Sequence, residues 1–208
     1  TGSVIRTDGI VLTDASLQTS EGKLGFVIAM RDTPNPIRIC VDLLEEEING
    51  LAGLGARKWA DQRGHLNAPV VGRQPEGQIG DTVGVIARDS EGLIAAATST
   101  GGCSHRPPGR VGDVPLPGSG FWVEGSVAVA ATGIGEAITC ALLSSKVYER
   151  IIASEDDSIE SLSSAMNWGI ESLIAPTHQV GLISLGSDGE GRGESNTDMP
   201  WATWCADL

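Results

Sequence analysis

The sequence predicts an α+β fold of layered type, in which helices lie outside β-sheets. Strand-like apolar runs occur at the start, the middle and the end of the chain. Two stretches of helical spacing separate them, giving the order strands, two helices, strands, two helices, strands. Such an order suits a sandwich of two sheets covered by helices, and equally a single sheet with helices on one side. At 208 residues, 40% of them apolar, the chain can bury one core but hardly two, so a single domain over residues 1–208 is expected.

Taken in order, residues 2–5 and 10–17 read as two strands around the turn signal Asp8-Gly9. A third strand over residues 25–30 follows the turn Ser20-Glu21-Gly22. Asn35 then stands as an N-cap before Pro36 at the first helical position, and Ile37, Cys40, Val41, Leu44 and Ile48 fall on one face. A second helix is expected over residues 56–62 with Trp59 inward. Residues 64–80 are polar, contain Gly and Pro, and read as a mobile linker.

Two runs, residues 83–88 and 93–98, form a hairpin about the turn Asp89-Ser90-Glu91-Gly92. A second hairpin pairs residues 120–123 with 126–131 and runs into Thr132-Gly133-Ile134-Gly135-Glu136, a strand-to-helix turn with backbone N–H groups available to a developing negative charge. Helices over residues 136–152 and 158–175 follow, the second with Ile159, Leu162, Met166, Ile170 and Leu173 at helical spacing. A strand over residues 179–185, a Gly-rich turn and a last segment to Trp204 complete the chain.

The formal charge is −13 with only three lysines, which argues against the clustered cations of a nucleic-acid surface. No apolar run is long enough to span a membrane, so a soluble, cytoplasmic protein is expected. Cys40, Cys103, Cys140 and Cys205 lie far apart with no CxxC pair and no clustered histidine. Buried thiols are expected of them, with no metal site and no disulfide framework.

The chemistry gathers in residues 78–113. Thr82 follows a Gly-Asp pair at the head of one strand, and Thr100 ends its neighbour before Gly101-Gly102. A loop with two prolines then presents Arg110 and Asp113, opposite charges three apart. Two hydroxyls beside such a pair could hold an amino acid by its two charged groups. An ordinary hairpin with a Gly-rich loop has the same spacing, and spacing alone favours that plainer reading. His105 beside Cys103 and Ser104 could suggest a histidine-assisted catalyst, but a loop histidine is the better reading.

The blocks DTVGVIARDSEGLIAAATSTGG, PGRVGDVPLPGSG and AATGIGE resemble, in order, those of the threonine N-terminal-nucleophile amidohydrolases: plant-type asparaginases with isoaspartyl aminopeptidase activity, glycosylasparaginases and threonine aspartases. The resemblance implies a four-layer αββα sandwich and self-cleavage between Asp81 and Thr82 into residues 1–81 and 82–208. It makes Thr82 the nucleophile, supported by Thr100. Arg110 and Asp113 then bind the α-carboxylate and α-ammonium of an aspartyl substrate, Thr132 and Gly133 form the oxyanion hole, and Gly135 lines the substrate. Without the resemblance, Thr132 reads as well as a helix N-cap.

The implied function is release of L-aspartate from asparagine or an isoaspartyl dipeptide, without a cofactor. The TSTGG and NTDMPWATW segments favour that branch, whereas Asp81, PLPGSG and the AATG of residues 130–133 lean toward glycosylasparaginase. The implied assembly is a homodimer of αβ units. Relatives carry a further N-terminal segment, with a core strand and, in many plant-type members, a sodium-binding loop. The resemblance implies that this N-terminal strand region is missing here, the chain being either a fragment or a reduced member of the family, and the reduced case opens a third reading, a non-catalytic binding subunit.

Overall fold

The computed structural model describes residues 3–74, 81–154 and 158–205. One sheet contains β1 (Leu12–Thr19), β2 (Leu24–Arg31), β3 (Gly50–Ala52), β4 (Val83–Arg88) and β5 (Ile94–Thr100), in the order β3-β2-β1-β5-β4. The other contains β6 (Phe121–Glu124), β7 (Val127–Gly133), β8 (Val180–Leu185) and β9 (Gly191–Ser195), in that order. Helices α1 (Pro36–Leu43) and α2 (Gly53–Gln62) belong with the first sheet; α3 (Gly135–Ala141), α4 (Leu143–Ala153) and α5 (Ile159–Leu173) belong with the second. Among the strands of the described residues only β2 and β3 pair in parallel, and α1 supplies the crossover such a pair needs.

Three apolar clusters hold these parts together. Ile39, Cys40 and Leu43 of α1 with Ala56 and Ala60 of α2 close on Ala15 and Val27 of the first sheet. Ile94 and Ala96 of β5 meet Val123, Ala128 and Leu185 of the second sheet, with Ile86 of β4 at the margin. On the far side, Val127, Val129 and Leu182 pack against Ile138, Leu143, Val147, Leu162 and Met166 from all three remaining helices. β7 therefore buries both faces, which is why VAVAA is an unbroken apolar run.

Several sequence expectations are corrected. Residues 2–5 form no strand among the described residues; Val4 makes a single bridge to Arg73, and the chain enters β1 only after an Asx turn in which Ile10 N–H donates to Asp8 Oδ1. The buried stripe of α1 is Pro36, Ile39, Cys40 and Leu43, leaving Val41 51% exposed. Both stripes are apolar at helical spacing, and only the sheet chooses between them. The single helix expected over residues 136–152 is broken at Leu142, whose φ is +51°. The N–H groups of Ser144 and Ser145 are taken by the carbonyls of Ser119 and Gly118, so α4 starts afresh on that loop.

Strands β3 and β9 were not expected. Residues 64–74 carry no helix or extended strand, and the rest of the expected linker, residues 75–80, lies outside the described residues. No disulfide joins the cysteines, but Cys140 and Cys205 are exposed and only Cys40 is buried, where desolvation pushes its thiol up to about 12. Among the described residues, no helix is long and apolar enough to cross a membrane.

Candidate active site

The hairpin of β4 and β5 sets the first half of the site. Its register pairs Val83 with Ser99, so one step further Thr82 lies alongside Thr100, at the point where β5 also pairs with β1 through Asp14. Thr82 is half-buried and Thr100 buried. The Thr100 hydroxyl donates to Asp81 Oδ1 at 2.6 Å, and Gly101 N–H donates to Oδ1 and Oδ2 at 3.1 and 2.9 Å. In the intact chain the side chain preceding Thr82 therefore occupies the Thr100 hydroxyl. Burial raises the Asp81 pKa above the ordinary carboxylate value, against the lowering pull of Thr100 and Gly101.

The loop 101–113 sets the second half. Val114 carbonyl accepts from Ser16 at 2.8 Å and Thr98 at 3.0 Å, which ties the residue after Asp113 to both β1 and β5. Asp113 is buried, its Oδ2 has no hydrogen-bond partner among the described residues, and burial pushes its pKa up to about 7. Arg110 lies beside it, its side chain 13% exposed. Burial disfavours the guanidinium charge, but Glu136, Cys103 and Asp113 together hold the pKa above its ordinary value.

The end of β7 brings the remaining residues. Thr132 pairs with Gly181 and Gly133 with Val180. The next N–H, of Ile134, donates to Gln179 O at 2.9 Å, so ladder alternation turns the Gly133 N–H away from β8. Gly133 has φ +132°, and a Cβ there would come within 2.2 Å of Gln179 O; only glycine fits. Gly135 opens α3 against Arg110 and Asp113, since its Cβ would stand 2.6 Å from Asp113 Oδ1 and 2.7 Å from Arg110 Nη2.

Asp14 links the two halves. It is buried, accepts from Ala29 N–H at 2.7 Å and feels Arg6, Arg110 and Asp81 at once, with burial pushing its pKa up to about 6. The structure thus brings Arg110, Asp113 and Gly135 together, and separately Asp81, Thr82 and Thr100, with Thr132 and Gly133 just ahead of Gly135 on the chain. His105 is exposed at φ +57°. A cavity of about 400 Å³ lined by His65, Thr33 and Arg38 lies on the α1 side, among residues with no part in this grouping. Among the described residues no cluster of His, Cys, Asp or Glu could hold a metal ion.

Sequence reasoning missed three of the groups in this arrangement. Arg6, buried, donates from Nη1 to the carbonyls of Pro107 at 3.3 Å and Arg110 at 3.1 Å, and Glu136 takes the Arg110 guanidinium. Asp14 is the third. Glu136 stood in the quoted AATGIGE block as a first-turn acid, which was the one local signal; Arg6 and Asp14 gave none.

A family model described as "Asparaginase" matches residues 67–207, which include every one of the site residues from Asp81 to Glu136. The chain belongs to this family. A plant-type L-asparaginase of Pyrobaculum calidifontis is 37% identical over 183 residues, covering 74% of this chain and 60% of that protein. An isoaspartyl peptidase/L-asparaginase of Bos taurus is 29% identical over 226 residues, 97% of this chain and 72% of that protein. An isoaspartyl peptidase of Escherichia coli is 40% identical over 165 residues, 73% of this chain and 46% of that protein. The asparaginase-family match begins after β1, β2 and β3, so Arg6 and Asp14 are supplied by a part of the chain that it does not cover.

Proposed function

We propose that this asparaginase-family chain is a self-processing amidohydrolase that releases L-aspartate from L-asparagine or from β-aspartyl dipeptides. The observation that carries the reading is the Asp81–Thr82 junction itself, clasped at Thr100 by the Asp81 carboxylate while Thr82 heads an edge strand. The four-layer αββα sandwich is part of the same proposal, supported by helix-to-sheet, sheet-to-sheet and sheet-to-helix clusters in that sequence.

In the first step the Thr82 hydroxyl attacks the Asp81 carbonyl carbon, and the acyl group passes from nitrogen to oxygen. Water then hydrolyses the ester, leaving a carboxylate on Asp81 and a free amine on Thr82. With residue 81 no longer tethered, Thr100 can donate to Thr82 instead. The amine, whose ordinary pKa is about 8, accepts the hydroxyl proton near neutral pH, so one residue is nucleophile and base.

Substrate enters with its α-carboxylate on Arg110, whose planar fork suits two oxygens, and its α-ammonium on Asp113. Attack on the β-amide carbonyl places the developing oxyanion before the Thr132 hydroxyl and the Gly133 N–H. Ammonia or the second amino acid leaves, carrying the proton held by the amine, and water hydrolyses the aspartyl ester. The test is denaturing electrophoresis of the purified chain, together with aspartate release from asparagine and an isoaspartyl dipeptide. Two pieces and aspartate are expected; an intact chain that releases none overturns the reading.

A further inference from the structure

We infer that Glu136 is a positioning residue that keeps Arg110 available to the substrate carboxylate and away from Asp113. The inference rests on the proposed reading of Arg110 and Asp113 as the receptors for an aspartyl substrate. A guanidinium offers two forks, the edge formed by Nε and Nη2 and the end formed by Nη1 and Nη2. Glu136 takes the edge, with Nε donating to Oε1 at 3.1 Å and Nη2 to Oε2 at 3.0 Å. Two contacts of nearly equal length make the bidentate arrangement that fixes the plane of the group.

What remains is the end of the fork. Its Nη1 lies over Gly112, where a Cβ would come within 2.6 Å, and its Nη2 lies over Gly135, beside Asp113 Oδ1. The receptors for the two charges of an amino acid must be neighbours, because one carbon separates those charges in the substrate. Neighbouring opposite charges, however, tend to pair with each other, which would cancel both receptors. Among the described residues Arg110 makes its ion pair with Glu136 and none with Asp113, whose Oδ2 stays without a partner. Glu136 therefore holds the cation by its back edge, so Arg110 Nη2 and Asp113 Oδ1 both flank Gly135 without an ion pair between the two residues.

Arg106 secures the clamp from outside, its Nη2 3.5 Å from the same Glu136 Oε2. The two guanidiniums hold the Glu136 pKa below its ordinary value, Arg110 first, so the carboxylate stays charged across the working range.

The experiment compares wild type with Glu136→Gln in three readouts: the rate of self-cleavage, kcat and KM on L-asparagine, and kcat/KM on L-aspartic diamide, which keeps the β-amide and amine but has no α-carboxylate. Loss of the clamp should raise KM for asparagine on the order of tenfold with kcat within about twofold, as expected for one charge-assisted contact. Self-cleavage and diamide turnover should stay near wild type, since neither uses the Arg110 fork. An unchanged KM, or equal losses on both substrates, overturns the inference.

Should Glu136→Gln not cleave itself, Arg106→Gln carries the test, because that side chain is partly exposed and meets the clamp from outside through Glu136 Oε2, its Nε going to Cys103 Sγ instead. A rise in KM of about two- to threefold with kcat kept supports the inference, and no rise overturns it. A wild-type chain that cleaves itself but hydrolyses neither compound overturns the proposed function, and the inference falls with it; wild-type activity matched by both variants overturns the inference alone.

Discussion

Strands β4 and β7 both carry residues proposed for the reaction, yet they sit in opposite environments. β4 is the edge of its sheet; Val83 and Val85 are 64% and 55% exposed, and only Ile86 reaches the core between the sheets. β7 is internal, with Val127 to Ala131 buried on both faces. The difference matches what the proposed reaction would ask of each. A strand whose head is cut from the preceding chain has to tolerate new charges and movement at that end, which an edge allows. A strand that presents an oxyanion-stabilising N–H has to stay still while charge develops, which burial on two faces secures.

The largest effect that could break this contrast is at the head of β4. Thr82→Ala should remain in one piece on denaturing electrophoresis and release no aspartate, because hydroxyl and incipient amine belong to one residue. An alanine variant that processes at the normal rate removes β4 from the chemistry altogether. Next comes stability: Leu182→Ala, fully buried beside β7, should cost on the order of 2–5 kcal/mol in urea unfolding. Val85→Thr on the open face of β4 should stay within about 0.5 kcal/mol. Equal losses would mean that β4 is as integral to the core as the interior of the sheet that holds β7.

A sharper comparison lies within the recognition group. Gly135→Ala puts a methyl where Asp113 Oδ1 and Arg110 Nη2 already lie, so both receptors must shift. Arg110→Lys keeps the charge and loses the fork. Each should lower kcat/KM on asparagine by about 1–3 kcal/mol in transition-state binding while leaving self-cleavage intact. Unchanged kcat/KM for Arg110→Lys on asparagine and on an isoaspartyl dipeptide counts against the carboxylate role.

These sites differ in how far the sequence announced them. The hairpin of β4 and β5 was legible because Asp89 caps its own turn, accepting from the N–H groups of Glu91 and Leu93, a purely local act. β9 was not, since GRGES offers no apolar alternation and two of its five positions are glycine. The break at Leu142 depends on carbonyls some twenty-five residues earlier in the chain, which no window of helical spacing contains. The grouping of Thr82, Thr100, Arg110 and Asp113 rested on the resemblance, because spacing alone allowed a plain hairpin. Glu136 illustrates the limit: the residue was in a quoted block, but its partner Arg110 is 26 positions away, and the pairing exists only once β6 and β7 have folded between them.

The smallest expected effect is that of His105→Ala, and it decides which group owns the acid limb of the rate. In the proposed mechanism the Thr82 amine acts only when neutral, so kcat, measured with substrate bound, should fall as pH drops through the amine's pKa. A second group adds to kcat/KM. Burial pushes the Asp113 pKa up to about 7 against the lowering pull of a backbone hydrogen bond and of Arg110, with Glu136 and Asp14 adding to the rise. As pH falls below that value the carboxyl takes up a proton, becomes neutral and no longer pairs with the substrate ammonium, so KM for asparagine should rise toward acid. Asp113→Asn should therefore remove this part of the kcat/KM limb and leave the kcat limb in place. His105, exposed in the loop, should change neither when replaced by alanine. If instead the kcat limb vanishes or moves by more than about one pH unit in that variant, a histidine is the base, and the single-residue mechanism at the head of β4 has to be given up.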